Sequence, residues 1–328
     1  MTTKDSSSGG APPLIILTGP TAVGKTALSI SLAKAIGGSV ISADSMQVYR
    51  GMDIGSAKIT PGEMDGVKHY LVDILEPTEE FHVVRFQEMA KAAMAEIRSA
   101  GKIPIVVGGT GFYIQALLYD IDFTEEDDDP AFRAQALAAA REKGNGYLHA
   151  KLREVDPASA DVIHENNLRR VIRALEFYEK TGTPISEHNE KERRKDSPYN
   201  FCYFVLNEDR ARLYERIDAR VDKMLAAGLA DEVRALTARG VCRGMTSMQG
   251  LGYKEMAAWL DGETDYEEAV RVLKRDTRRF AKRQLTWFKR QEDVIWVNRP
   301  DFENEEAILA FLLQTIQERG ILCCRDKT

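Results

Sequence analysis

Much of what usually declares a protein's class is scarce in this 328-residue chain. Cysteine is rare: four residues, at 202, 242, 323 and 324. None forms a CxxC pair, and Cys323 and Cys324 are adjacent, which suits neither a zinc site nor a disulfide framework. Reduced thiols in a cytoplasmic setting are expected. The five histidines (His69, His82, His149, His164 and His188) are scattered and suggest no ligand set. No apolar run has the length of a membrane span. The opening MTTKDSSSGGAPP lacks the apolar stretch of a signal peptide, so residues 1–12 read as a disordered tail and no membrane association is expected. Positive charge is not in excess either. A net charge of −6 argues against a protein that coats nucleic acid globally, although local basic patches stay open. Internal repeats are absent.

What is present suffices for one large domain or two medium ones, with 44% hydrophobic and 29% charged residues. The apolar run Leu14–Leu17 leads into GPTAVGKT, Gly19–Thr26, and then into a helical pattern over 25–36. Strand, glycine loop and helix at this spacing make a P-loop. Its glycines let backbone N–H groups turn toward phosphate oxygens, and the helix N-terminus favours an anion. Lys25 adds a point charge, and Thr26 a hydroxyl for phosphate or Mg²⁺. Two more buried strands follow, SVISAD (39–44) and IPIVVGGTG (103–111), separated by a helix that Gly101 closes. Strands alternating with helices imply a parallel α/β sheet, whose site lies beyond the carboxyl ends of its strands. Gly19, Asp44 and Gly108–Thr110 all fall there.

A nucleotide hydrolase also needs an acid ending a second buried strand, to hold Mg²⁺. Gly108 and Gly109 stand where that acid would be. Asp44 can hold metal, take a proton from an acceptor, or merely shape a turn. Gly108-Gly109-Thr110-Gly111 reads equally as a phosphate-approaching turn or a plain strand-to-helix connection. From 122 the chain changes character, and 122–198 reads as a helical insertion. The α/β core then spans 13–121 and 199–300, with strands at 199–207 and 294–298, and 301–328 is a C-terminal helix and tail. Residues 208–240 read as one long amphipathic helix, with Leu213, Ile217, Val221 and Leu225 every four residues and Arg212, Arg216 and Arg220 in a stripe beside them. That stripe is either a solvated face or a ligand clamp. A further helix, 266–290, carries nine basic residues in its stretch 271–290, where the one acid is Asp276. With Trp287 and Phe288 interleaved, it suits a nucleic-acid backbone, or packs on acidic parts of the same chain.

GPTAVGKT, ISADSMQVYRGMDIGSAK, VVGGTGFY, SMQGLGYKE and RRFAKRQLTWF stand in this order, and together they resemble the tRNA dimethylallyltransferases, in their bacterial branch. The likeness covers residues 14–298. Ser56 departs from the Thr common at its position, and the acidic run Glu125–Asp129 is not a feature of the family. The resemblance implies a P-loop NTPase-like core with a helical insertion that contacts the anticodon stem-loop. It implies transfer of a dimethylallyl group from dimethylallyl diphosphate to N6 of the adenosine 3′ of the anticodon, in tRNAs reading codons that start with U. The P-loop (Gly19, Pro20, Thr21, Ala22, Val23, Gly24, Lys25, Thr26) would hold the diphosphate, with Mg²⁺ on Thr26 and on Asp44 as a further ligand. Asp44, Thr110 and Arg220 would be catalytic, Asp44 as base. The tRNA would meet Asp44, Ser45, Met46, Gln47 and Thr110; Arg133, Arg169, Arg170, Val171, Ile172 and Arg173; Met248, Gln249, Gly250, Leu251, Gly252 and Tyr253; and Arg278, Arg279, Lys282 and Arg283. A cytoplasmic monomer is expected.

Three rivals share some of these features. A P-loop kinase would use Asp44 on an acceptor hydroxyl, but leaves the basic helix and the insertion without work. A prenyltransferase acting on free adenine nucleotides would not need the arginines of the insertion. A non-catalytic RNA-binding protein leaves Lys25, Thr26 and Asp44 unexplained. Turnover of ATP against that of dimethylallyl diphosphate separates the first rival from the resemblance.

Overall fold

Strand β1 (Pro13–Thr18) is buried along nearly its whole length, with apolar side chains on both faces. Such a strand needs cover on both sides, the condition of a parallel sheet wrapped by helices. In the computed structural model, which describes residues 10–123 and 129–322, β1 takes the central role. Helix α1 (Lys25–Ile36) follows the P-loop and ends at Gly37, whose left-handed backbone turns the chain into β2 (Gly38–Ala43). A short helix α2 (Pro61–Met64) precedes a two-residue edge strand, β3 (His69–Tyr70), that the sequence pattern does not announce. Then come α3 (Val83–Ser99), capped by His82, β4 (Ile103–Gly108) and α4 (Gly111–Leu118).

The chain forms two units, one running up to Leu117 and resuming at Pro198, the other spanning Leu118–Ser197. The second unit is helical: α5 (Pro130–Lys143), α6 (Asn145–Val155), α7 (Pro157–Val162), α8 (Leu168–Thr181) and α9 (Ile185–Arg193). Leu148, Leu152, Val171, Ile172 and Phe177 form its core. Of the acidic run Glu125–Asp129, only Asp129 lies within the described residues, and it caps α5 by accepting from the Phe132 amide at 2.9 Å. Cys323 and Cys324, like residues 1–9, lie outside them.

The first unit resumes with β5 (Asn200–Asn207). The single helix expected over 208–240 is two, α10 (Arg210–Ala226) and α11 (Leu229–Ala238). Gly228 adopts φ 96°, a left-handed conformation that a helix interior does not accommodate, so the chain turns there. Next come α12 (Tyr253–Leu260), the basic helix α13 (Tyr266–Phe288), β6 (Val294–Asn298) and α14 (Glu305–Glu318). All six strands are parallel, in the order β3-β2-β4-β1-β5-β6. The chain first builds one side of β1 and then the other. The carboxyl end of β1 is therefore a topological switch point, and the P-loop leaves from it.

Strand β4 approaches β2 closely at its carboxyl end. A Cβ on Gly108 would lie 2.2 Å from the Ala43 carbonyl oxygen, a backbone atom with no way to retreat. Gly108→Ala is therefore expected to cost about 1–3 kcal/mol in denaturant unfolding. Gly62→Ala, where a Cβ meets nothing within 4 Å, serves as the control and should be close to neutral. Equal stabilities would show that the strand ends yield.

Candidate active site

The P-loop is shaped by contacts that only glycine permits. A Cβ on Gly19 would meet the Leu206 carbonyl oxygen at 2.4 Å, and Gly24 adopts φ 95° at the cap of α1. Val23 plunges into the core and anchors the loop from beneath. The backbone, not this side chain, is what the loop can offer a ligand. Lys25 folds back, its Nζ donating to the carbonyls of Gly19 (2.9 Å) and Pro20 (2.8 Å). The first-turn amides of α1 have no carbonyl one turn earlier and present their hydrogens at the loop mouth. Thr26, in that turn, is exposed.

Asp44 stands one residue past β2. Its Oδ1 accepts from the amides of Met46 (2.8 Å) and Gln47 (3.2 Å), an Asx turn that fixes the carboxylate and leaves Oδ2 without a hydrogen-bond partner among the described residues. That cavity, of about 300 Å³, is bordered by Thr21, Asp44, Ser45, Met46, Thr110 and Arg220. Gln249, Gly250, Leu251 and Arg283 also reach it, and Ile217, Val221, Met224, Leu273 and Phe280 give it an apolar wall. Three cations, Arg220, Lys254 and Arg283, line it against one acid, Asp44. The site is thus locally positive inside an acidic protein.

Electrostatics support the same grouping. Burial, with Arg220 adding to it and Asp44 opposing, pushes the Lys25 ammonium down to about 7. Burial also lowers Arg220, again with Asp44 opposing. These three charges feel one another, and the two cations are withdrawn from water. A multivalent anion at the loop mouth would oppose both shifts.

Several other expected contacts are buried or bonded within the chain, and others are exposed. Met248 is 1% exposed and Tyr253 0%, so neither side chain can touch RNA; each packs under the loop that carries Gln249–Leu251. Val171 and Ile172 lie in the core of the helical unit for the same reason, as the apolar face of α8. Arg133 donates through Nε (2.9 Å) and Nη2 (2.8 Å) to Oε2 of the buried Glu176, joining α5 to α8. Arg169 and Arg170 are exposed on α8, and Arg173 is half-buried there. Gln47 donates to the carbonyls of Ser56 and Ala57, bracing a loop instead of reaching the cavity. Gly252 caps α12.

The basic helix is largely neutralised along its first half. Arg271 pairs with Glu268, Lys274 with Asp222, and Arg278 with Asp218 at 2.5 and 2.8 Å. Arg275 and Arg279 share Asp276. Arg278, expected at the tRNA, has its guanidinium paired with Asp218 of α10. Positive charge instead gathers further along, where Arg279, Lys282, Arg283, Thr286, Trp287 and Arg290 surround a surface cavity.

One residue that sequence reading overlooked joins the parts. Gln284, 6% exposed, accepts from the Thr21 amide at 2.9 Å and donates to the Gly109 carbonyl at 2.9 Å. It ties the P-loop, the end of β4 and α13 together. A signal existed: Gln284 follows Ala281 by three and precedes Phe288 by four, so it shares their buried face. Arg299 gave no such signal. With Arg216 it lies against Gly24, and Glu208 faces both guanidiniums.

Comparison with known proteins adds to this geometry. The profile of a family described as IPP transferase matches residues 47–291, and one described as isopentenyl transferase matches 12–80. The chain is 59% identical to the tRNA dimethylallyltransferase of Lachnoclostridium phytofermentans, over 94% of this chain and 99% of that one. The crystal structure of the full-length tRNA isopentenylpyrophosphate transferase of Bacillus halodurans is 44% identical, with a TM-score of 0.71, covering 95% of this chain and 98% of that one. A eukaryotic dimethylallyltransferase acting on tRNA, also solved, is 30% identical with a TM-score of 0.81, covering 96% and 82%.

If Lys25 and Arg220 form an anion clamp, each should contribute the worth of a charged hydrogen bond. Lys25→Ala and Arg220→Ala are expected to weaken binding of inorganic pyrophosphate by about 1.5–3 kcal/mol, roughly 10- to 100-fold, in titration calorimetry. Unchanged affinity for either variant would remove that residue from the clamp.

Proposed function

This chain belongs to the tRNA dimethylallyltransferase family, and from that premise we propose how its cavity carries out the transfer. It moves a dimethylallyl group from dimethylallyl diphosphate to N6 of the adenosine 3′ of the anticodon, in tRNAs reading codons that begin with U. The observation that carries this reading is the shared cavity. One space is bordered by Thr21 of the P-loop, by Arg220, by Asp44 with its unbonded Oδ2, and by an apolar wall.

The donor's diphosphate lies on the P-loop amides, Lys25 and Arg220. Its five-carbon chain is sized for the wall of Ile217, Val221, Met224, Leu273 and Phe280. Adenine N6 attacks the allylic C1, and the C1–O bond to diphosphate breaks. Negative charge builds on the departing oxygen, where fixed N–H dipoles and two cations stabilise it most. Asp44 Oδ2 takes the N6 proton, since Oδ1 is held by two amides. Adenine N6 is weakly basic, so proton removal during attack is required. Thr110 stands at the same cavity as a hydroxyl donor.

No group of three or more His, Cys, Asp or Glu suited to a metal occurs among the described residues. Mg²⁺ needs about six oxygens, so the exposed Thr26 hydroxyl fits it only when diphosphate and water provide most of them. Asp44 is the other oxygen donor in reach of the site. When bound, Mg²⁺ supplies further charge neutralisation to the leaving diphosphate.

The RNA reaches this site against a net charge of −6. Arg169, Arg170 and Arg173 on α8, with Arg279, Lys282 and Arg283 on α13, are the proposed phosphate contacts. The target base leaves its stack to enter the cavity, which is cheaper from a single-stranded loop. No helix among the described residues is long and apolar enough to cross a membrane. A cytoplasmic monomer fits this reading.

The test is direct: purified protein, dimethylallyl diphosphate, Mg²⁺ and unmodified tRNA, followed by mass spectrometry of the nucleosides. N6-isopentenyladenosine is expected, without tRNA-independent ATP hydrolysis. ATPase activity, or alkylation of free AMP in preference to tRNA, would sink the reading.

Asp44→Asn keeps an oxygen for the Met46 and Gln47 amides, so folding survives. It puts an NH₂ where the base was, and kcat should fall about 10²- to 10⁴-fold. A nearly active Asn variant would show that Asp44 orients the adenine and leaves the proton to another group. The proposed phosphate-binding cations predict a second result. Replacing Lys282 and Arg283 by Ala should flatten the log–log salt dependence of tRNA binding by about 0.7 for each phosphate no longer neutralised. Arg278→Ala, whose partner is Asp218, should leave that slope alone and lower the melting temperature.

A further inference from the structure

Glu232 lies in the first turn of α11 and takes no part in the chemistry above. Its carboxylate is nevertheless the most heavily bonded acceptor beside the site. Oε2 accepts from the amides of Asp53 (2.9 Å) and Ile54 (2.7 Å). Oε1 accepts from the amide of Gly55 (3.1 Å) and the hydroxyl of Tyr253 (2.7 Å). Four donors fill the capacity of one carboxylate. Three successive backbone N–H groups turned to one anion form a nest, here occupied by a side chain from 177 or more residues away.

The two segments that Glu232 holds are the two that close the cavity opposite the P-loop. Gly55 and Ser56 border it from the first, Gly250 and Leu251 from the second. They interlock tightly. A Cβ on Gly55 would lie 2.6 Å from the Tyr253 ring, and one on Gly250 would lie 2.7 Å from the Met46 sulfur. Interlocking of that kind sets how near the segments can come, but does not pull them together. The pull comes from the carboxylate. It also aligns the amides of 53–55, next to Ala57, a non-glycine residue held at φ 45°. Burial and the neighbouring Glu232 carboxylate raise the Tyr253 phenol well above its usual range, so it remains a donor to Glu232.

We propose that Glu232 is the positioning residue for the acceptor side of the active site: it clamps the 53–55 amides and Tyr253 together, and so shapes the wall that receives the adenine. This rests on the reading that the cavity accepts the tRNA base. Lys25, Arg220 and the P-loop have no bond to Glu232, so the donor half of the site should not depend on it.

The experiment compares wild type with Glu232→Ala, Glu232→Gln and Tyr253→Phe. Hydrogen exchange of the free protein reads the clamp itself. In Glu232→Ala the amides of 53–55 should lose protection, while those of β1 and β4 keep theirs. kcat/KM for tRNA should fall about 10- to 100-fold, the size of effect expected when reacting groups are misplaced by an ångström. Affinity for inorganic pyrophosphate should not change. Gln retains one accepting oxygen and should fall between Ala and wild type, and Tyr253→Phe, which removes one of four donors, should be milder still. Unaltered protection at 53–55 would overturn the proposal, as would loss of protection in the core strands or an equal loss of pyrophosphate affinity. A wild-type protein that does not alkylate tRNA would instead overturn the functional reading, and the exchange data would still decide whether the clamp exists.

Discussion

Two cationic side chains, Lys25 and Arg220, have their charged ends drawn away from water beside each other, with Asp44 as the nearby acid. Such an arrangement is costly unless a counter-charge arrives. Burial already lowers both groups, and their mutual repulsion adds to the effect on Lys25. The pair suits an anion carrying more than one negative charge, as the proposed diphosphate does. The rest of the fold supplies what that anion needs: α1 aims its first amides at the loop mouth, β1 ends there at a switch point, and α10 brings Arg220 in from a distant part of the chain.

Holding that cluster open requires braces that do not themselves react. Gln284 uses both ends of its amide, one on the Thr21 amide and one on the Gly109 carbonyl. Glu232 gathers three amides and a phenol on the other side of the cavity. Gln47 ties the turn after Asp44 to residues 56 and 57. Each is a half-buried or buried polar group with its bonding capacity well used, the condition under which such groups rigidify a site without weakening it. Around them the glycines at 19 and 108 mark backbone approaches too close for any side chain.

Charge is organised at two scales. The chain as a whole is acidic, and the first half of α13 commits its basic residues to Glu268, Asp218, Asp222 and Asp276. Further along the same helix, Lys282, Arg283 and Arg290 gather around Trp287 at a surface cavity. A local basic surface on an acidic body favours association at one face and repels RNA from the others.

The sequence by itself determined the elements whose signals are local. The P-loop, the buried runs at 14–18 and 103–108, the strand at 294–298 and the helix that Gly101 closes follow from residues near one another, because backbone preference and burial act over a few positions. Lys25, Asp44 and Thr110 were placed near the site by motif and strand-end position, and Arg220 was nominated by the family resemblance. Tertiary structure alone decided which charges were committed within the chain. That Arg278 pairs with Asp218, and Arg133 with Glu176, depends on acids more than 40 residues away. It also decided that Met248, Tyr253, Val171 and Ile172 are core, and that Glu232 and Gln284 are braces. A long-range hydrogen bond leaves no periodicity behind it; its partners become neighbours only once the sheet has brought their elements together.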